Sequence, residues 1–285
     1  MQSVSRGSLQ LGHAASSQLR WVLADITGLV EEARLERSLS PLAAIGLGQM
    51  LSAAAMLTRL VAKRPLRMLL EASGDGPLGR IRAEADTLGN LRGLVERASA
   101  PGFSETVSNP ELGAGTLRVV RHSDKRSYES KVELVGGGVA SNVAHFLDTS
   151  EQIRSAVLLG VRAEKDGIVA GGGMIVQILP GADPSIVRRL EQRISTLPGT
   201  SDLLRDSGPS GLLAAVLADL EPQTLHEAPL TLSCDCDRTR FRDHIRSLAE
   251  QEPALVDESE DTCVECSFCG ATYVFSASEL MPTVN

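Results

Sequence analysis

Cys263-Val-Glu-Cys266-Ser-Phe-Cys269-Gly270-Ala-Thr-Tyr273-Val-Phe275, read with Cys234-Asp-Cys236 upstream, carries most of the chemistry legible in this 285-residue chain. There are five cysteines, and all lie in the last 52 residues. A secreted disulfide scaffold spreads its cysteines, whereas clustered pairs without a secretion signal read as a metal or redox site. A C-x-C pair and a distant C-x-x-C pair each supply two corners of a thiolate tetrahedron, about 2.3 Å from one zinc ion. Gly270 directly after Cys269 suits the tight turn of a metal knuckle. The run that follows reads as a short strand with Tyr273 and Phe275 on one side. Cys234, Cys236, Cys266 and Cys269 are therefore the expected ligands of one Zn²⁺ per chain. Cys263-x-x-Cys266 is also a C-x-x-C pair, and the choice of Cys266 and Cys269 rests on Gly270 and the aromatic run. Cys263 is then a spare thiol, able to swap in as a ligand or to enter a disulfide.

The plainest reading of such a cluster is a structural zinc site. C-x-C is, however, an unusual zinc pair. A disulfide across one intervening residue needs a bent backbone, and strained bonds are the reducible, regulatory ones. Two vicinal thiol pairs can empty the site of metal by forming two disulfides. Structural zinc contributes about 10–16 kcal/mol of apparent folding free energy to small modules. A piece of about 50 residues with few aromatics does not hold a core without it. Oxidation can then act as an unfolding switch.

Working outward, apolar residues make up 42% of the chain, enough for a sizeable core. Aromatics are only 3%, so the core is aliphatic, and a base-stacking platform for single-stranded nucleic acid is excluded. Residues 219–285 carry 4 of the 28 basic and 14 of the 36 acidic side chains, a net charge of −10 against +2 for the rest. That tail opposes a nucleic-acid partner. Leu42 to Leu57 falls short of a membrane span and reads as a buried helix. The N-terminus lacks the apolar segment of a secretion signal, which points to the cytoplasm.

Ser40-Pro41 starts a long helix that runs to Val61, after an earlier one over Thr27–Leu39. Strands are expected over Leu66–Ala72 and Gly79–Ala85, around the Gly74-Asp-Gly-Pro turn. Further strands are expected over Leu117–Arg121, Ser130–Val135, Ala156–Arg162 and Gly173–Leu179. Ser185–Leu197 and Gly211–Leu220 read as helices on either side of the breaker Pro198-Gly199-Thr200-Ser201. From Gly181 to Ser233 the pattern is helical without strands. The expected organisation is an α/β domain over 1–180 (a mixed sheet with helices), a helical linker over 181–232, and a small four-cysteine zinc domain over 233–285. No nucleotide or nucleophile motif is present, and Gly74–Gly79 reads as turn residues. The histidines read as surface or packing residues, with His244 the one to watch as a further ligand. Asp257-Glu-Ser-Glu-Asp261 reads as a solvated loop.

The C-x-C…C-x-x-C tail with Cys-x-Phe-Cys-Gly-x-x-Tyr-x-Phe resembles the 33 kDa chaperonin family of redox-regulated heat-shock holdases. The resemblance spans almost the whole chain. It includes Ser40-Pro41 before Leu47-Gly-Gln-Met-Leu51, Gly74-Asp-Gly-Pro-Leu-Gly79, Asn90-Leu-Arg-Gly93, Leu112-Gly-Ala-Gly-Thr-Leu117 and Ser150-Glu-Gln152. Its most specific stretch is Ala170-Gly-Gly-Gly-Met-Ile-Val-Gln-Ile-Leu-Pro180. The resemblance implies a chaperone without catalytic residues, inactive when reduced and zinc-bound. In such a protein, oxidants join neighbouring cysteines, here Cys234–Cys236 and Cys266–Cys269, and expel zinc. The zinc domain and linker then unfold, and the protein, as a homodimer, holds unfolded client proteins without ATP. Two departures stand out. Cys263 is extra, which leaves Cys263–Cys266 as an alternative disulfide, and Arg246–Thr262 is unusually acidic. The competing readings are a structural-zinc adaptor and a thiol–disulfide oxidoreductase built on Cys266-Ser-Phe-Cys269.

Overall fold

Leu42 to Leu57 contains no charged side chain, and it forms the middle of a helix over Pro41–Val61. The Ser40 hydroxyl accepts the amide of Ala43 at 3.2 Å and caps the first turn. Pro41 follows, where a missing N–H costs nothing. This helix is long and apolar enough to cross a bilayer, but its most apolar 18-residue stretch is 94% buried within the protein. It is a core helix.

The computed structural model describes residues 7–61, 66–101, 109–123, 126–252, 255–256, 260–266 and 268–280. The chain divides into two compact units, residues 1–232 and 233–285. In the larger unit β1 (Gly7–Ala14), β2 (Leu19–Asp25), α1 (Thr27–Glu36), α2 (Pro41–Val61), β3 (Arg67–Gly74) and β4 (Arg80–Asp86) come first. β5 (Asn90–Val95), β6 (Gly115–Ser123), β7 (Arg126–Glu133), α3 (Val139–Thr149) and β8 (Ser155–Glu164) follow. β9 (Gly167–Ile178), α4 (Pro184–Ser195), α5 (Thr200–Leu217) and β10 (Gln223–Leu232) complete it. The strands form one sheet in the order β7-β6-β3-β4-β5-β10-β1-β2-β9-β8. β3 and β4 pair antiparallel from Arg67↔Asp86 to Ser73↔Arg80, the hairpin that the Gly74-Asp-Gly-Pro turn predicts.

Both halves of the sheet turn an apolar face to α2. Val22 and Ala24 of β2, Leu70 and Ala72 of β3, Ile81 and Ala83 of β4, and Val161 of β8 share one core with it. Strand alternation sends Leu19, Trp21 and Leu23 to the opposite face of β2. There they pack with Met174 and Val176 of β9 under Leu190 of α4 and Leu204, Leu212, Val216 and Leu217 of α5. This second layer covers one half of the sheet only. On β3, β4 and β5 the face away from α2 carries ion pairs instead, among them Arg92–Glu84 at 2.8 Å and Arg67–Glu84 at 2.9 Å, together with Arg82–Glu71.

Residues 223–232 overturn the expectation of a strand-free stretch after Gly181. β10 lies inside the sheet, antiparallel to β1 from Gly7↔Leu230 to His13↔Gln223. It meets β5 in parallel at only two positions, Thr231↔Asn90 and Leu232↔Leu91. Its first five residues are exposed, so it lacks the alternation that marks a strand. Pro229, which reads as linker punctuation, falls just before the β5 contact begins, where no ladder donor is needed. The helix expected over Gly211–Leu220 instead starts at Thr200, kinks at Gly208-Pro209, and ends at Leu217. α1 stops three residues short of Leu39, because Ser38 takes a left-handed φ of 50°. The expected elements include none of β1, β2, β5 or α3, although Val139, Asn142, Val143, Phe146 and Leu147 of α3 are buried at helical spacing.

Candidate metal centre

The smaller unit begins with the C-x-C pair and contains α6 (Arg238–Gln251), β11 (Thr262–Glu265), β12 (Thr272–Phe275) and α7 (Ala277–Leu280). Asp237, directly after Cys236, accepts the amide of Thr239 at 2.7 Å and caps α6. The pair is thus anchored at a helix start. β11 and β12 form an antiparallel hairpin in which Val264 faces Tyr273 and Cys263 faces Val274. Cys266 and Cys269 sit in the turn between these strands. The Gly270 amide donates to the Cys266 carbonyl, and the Cys266 amide to the Ala271 carbonyl, both at 2.8 Å. Gly270 takes φ 73°, the left-handed conformation the knuckle reading asks of it.

The fold brings the sulfurs of Cys234, Cys236, Cys266 and Cys269 within 4.8 Å of one another. Cys234 and Cys266 are 3.7 Å apart and Cys236 and Cys269 3.3 Å, so each close contact joins one member of either sequence pair. A tetrahedron with bonds of about 2.3 Å has edges of about 3.8 Å, and the donors fit it. Their protonation favours a cation as well. Burial pushes the Cys266 thiol up, but the amides of Cys269 and Phe268 donate to its sulfur and prevail, bringing it down to about 7. Burial, together with hydrogen bonds to Cys236, Cys266 and Cys234, pushes Cys269 up to about 12. Burial likewise raises Cys234. Sulfurs this close do not all ionise on their own, and a divalent cation removes that conflict. Among the described residues the cluster contains neither Cys263, exposed on β11, nor His244, exposed on α6. Ser267 and residues 257–259 of the acidic run lie outside the described residues.

Behind the sulfurs the unit has little core. Among the described residues, Ala249, Val256, Phe275 and Leu280 are its buried apolar residues besides Cys266, with Phe241, Ile245, Val264, Tyr273 and Ala277 packed against them. Arg238 lies 4.5 Å over the Phe275 ring and pairs with Glu279 at 2.7 Å. That pair, with the Ser276 amide, holds the Glu279 carboxyl down at about 2. Sequence reasoning places Tyr273 on the strand but misses its reach. Its hydroxyl lies 3.2 Å from the Cys236 sulfur, and its ring lies tilted against Phe241, 5.1 Å between centroids. The only signal for this is the spacing of an aromatic four residues after Cys269.

The family model described as Hsp33 protein matches residues 8–276. The chain is 39% identical to the 33 kDa chaperonin of Thermus thermophilus, over 98% of this chain and 86% of that protein. It is 34% identical to the 33 kDa chaperonin of Syntrophotalea carbinolica, over 92% and 93% respectively. The crystal structure of the 33 kDa chaperonin (heat shock protein 33 homolog) of Thermotoga maritima superposes with a TM-score of 0.86 at 29% identity, covering 96% of each chain.

Proposed function

The chain belongs to the Hsp33 family of chaperones, and from that membership we propose that it is a redox-regulated holdase, which needs no ATP and binds unfolded clients under oxidative stress. The observation that carries this reading is the pairing of a four-sulfur centre with a unit whose described residues form a small core. When bound, zinc supplies a cross-link between the C-x-C segment and the hairpin, and with it folding free energy that so small a described core does not supply. Peroxide oxidation joins Cys234 to Cys236 and Cys266 to Cys269. Each disulfide takes two electrons from a thiolate pair, and these, with two protons from solvent, reduce one peroxide to two waters. All four donors are consumed, the metal leaves, and the smaller unit unfolds, exposing Phe241, Tyr273 and Phe275. Within residues 181–232 the helices α4 and α5 act as the linker, while β10 belongs to the core sheet. Release of α4 and α5 from the Trp21 face adds a second apolar surface, and two oxidised chains associate as a homodimer in the cytoplasm. The sulfur of Cys266 is buried in the folded unit, which disfavours attack on an external disulfide and hence the oxidoreductase reading.

Light scattering of a thermally unfolding client tests the proposal. Suppression by peroxide-oxidised, zinc-free protein, with none by reduced, zinc-loaded protein, is the expected result. Equal suppression by both forms would mean a constitutive holdase with structural zinc, and none by either would reopen the adaptor reading.

A further inference from the structure

Tyr273 brings a hydroxyl to the sulfur cluster, and its place is fixed from two sides. On β12 it is paired with Val264 across the hairpin. Its ring rests on Phe241 of α6, 5.1 Å between centroids. The hydroxyl so held lies 3.2 Å from the Cys236 sulfur and 3.3 Å from the Cys236 carbonyl. A hydroxyl has one proton to give. A thiolate carries charge where the carbonyl does not, and charge-assisted hydrogen bonds are roughly twice as strong as neutral ones. Once Cys236 is ionised as a ligand, the Tyr273 proton therefore goes to sulfur. Such a bond orients the ligand. It also withdraws electron density from the lone pair that would attack an oxidant.

We propose that Tyr273 is a positioning residue of the metal centre: by donating to the Cys236 sulfur it fixes that thiolate as a ligand and slows its attack on peroxide, so that this hydroxyl sets the oxidant threshold of the switch. The proposal rests on the reading of the centre as a zinc redox switch. The bond adds no redox step of its own; it changes how readily Cys236 enters the disulfide with Cys234.

The test compares full-length wild type with Tyr273→Phe, both reduced and zinc-loaded, after circular dichroism has shown equal fold. Zinc affinity is read by competition with a chromogenic chelator, and zinc release is followed after peroxide addition. Loss of a hydrogen-bond partner behind a metal ligand typically costs about 10–100-fold in metal affinity, and a drop of that size with faster peroxide-driven release is expected for Tyr273→Phe. Phe241→Leu keeps the hydroxyl and removes one support of its ring, so a clearly smaller loss of zinc affinity than in Tyr273→Phe is expected. If it loosens zinc as much as Tyr273→Phe, the effect is one of packing and the proposal is overturned. Unchanged affinity and release in Tyr273→Phe, beside a wild type that binds zinc and yields it to peroxide, overturn this proposal alone. A wild type that takes up no zinc overturns the functional reading and this proposal with it.

Discussion

At the scale of single residues, strand alternation separates the five cysteines. Val264 turns toward Tyr273 and the small core, so Cys263 and Glu265, one position to either side, point outward and are exposed. Cys266, the next inward position, is buried in the sulfur cluster. The alternative Cys263–Cys266 disulfide therefore requires β11 to unravel. Cys263→Ser is expected to keep wild-type zinc content and affinity, and Cys266→Ser to lose tight binding, both read by chelator titration. Zinc loss in Cys263→Ser, or full retention in Cys266→Ser, would contradict this assignment of ligands.

At the scale of elements, the cover over Trp21 depends on one close approach. A Cβ on Gly160 of β8 would lie 2.3 Å from the Ser201 amide nitrogen and 2.8 Å from its Cα, in the first turn of α5. Both are backbone atoms, so no side-chain rotation relieves the clash. Gly160→Ala must lift the start of α5, at a cost of about 1–3 kcal/mol for overpacking. Faster amide exchange across α4 and α5 is expected, with measurable client holding by the reduced protein. Exchange identical to wild type would show that α5 absorbs the methyl group without loosening. The ion pairs of Arg205 with Asp202 and Glu164, at 3.5 and 3.9 Å, are partly exposed and do little to hold the helix down.

At the scale of the whole molecule, the chain contains its own reporter. Trp21 is its single tryptophan. It is fully buried on the sheet face that α4 and α5 cover, with its indole N–H donating to the His13 carbonyl at 3.1 Å. If oxidation releases those helices, Trp21 emission shifts to the red on peroxide treatment and returns on reduction with zinc. An unshifted emission in oxidised, zinc-free protein would confine the switch to residues 233–285. β10 makes this worth measuring. It stands in sequence between α5 and Cys234, held along β1, so unfolding that starts at the cysteines must pass a sheet strand before it reaches the helices.

What local spacing encodes was legible in the sequence. Ser40-Pro41 and the charge-free run after it define α2, the Gly74-Asp-Gly-Pro turn defines the β3–β4 hairpin, and two cysteine pairs with Gly270 single out the four sulfurs that meet. Each depends on residues a few positions apart, where backbone geometry alone sets the outcome. Tertiary structure decided the rest. β10 looks like a linker because its exposed residues show no periodicity, and only the ladder to β1, from the far end of the chain, makes it a strand. The Tyr273 hydroxyl meets Cys236 only because the hairpin and α6 fix that ring in place. Which face of β2 receives α2 and which receives α5 was likewise undetermined, because both faces are apolar and strand alternation does not say which partner each will find.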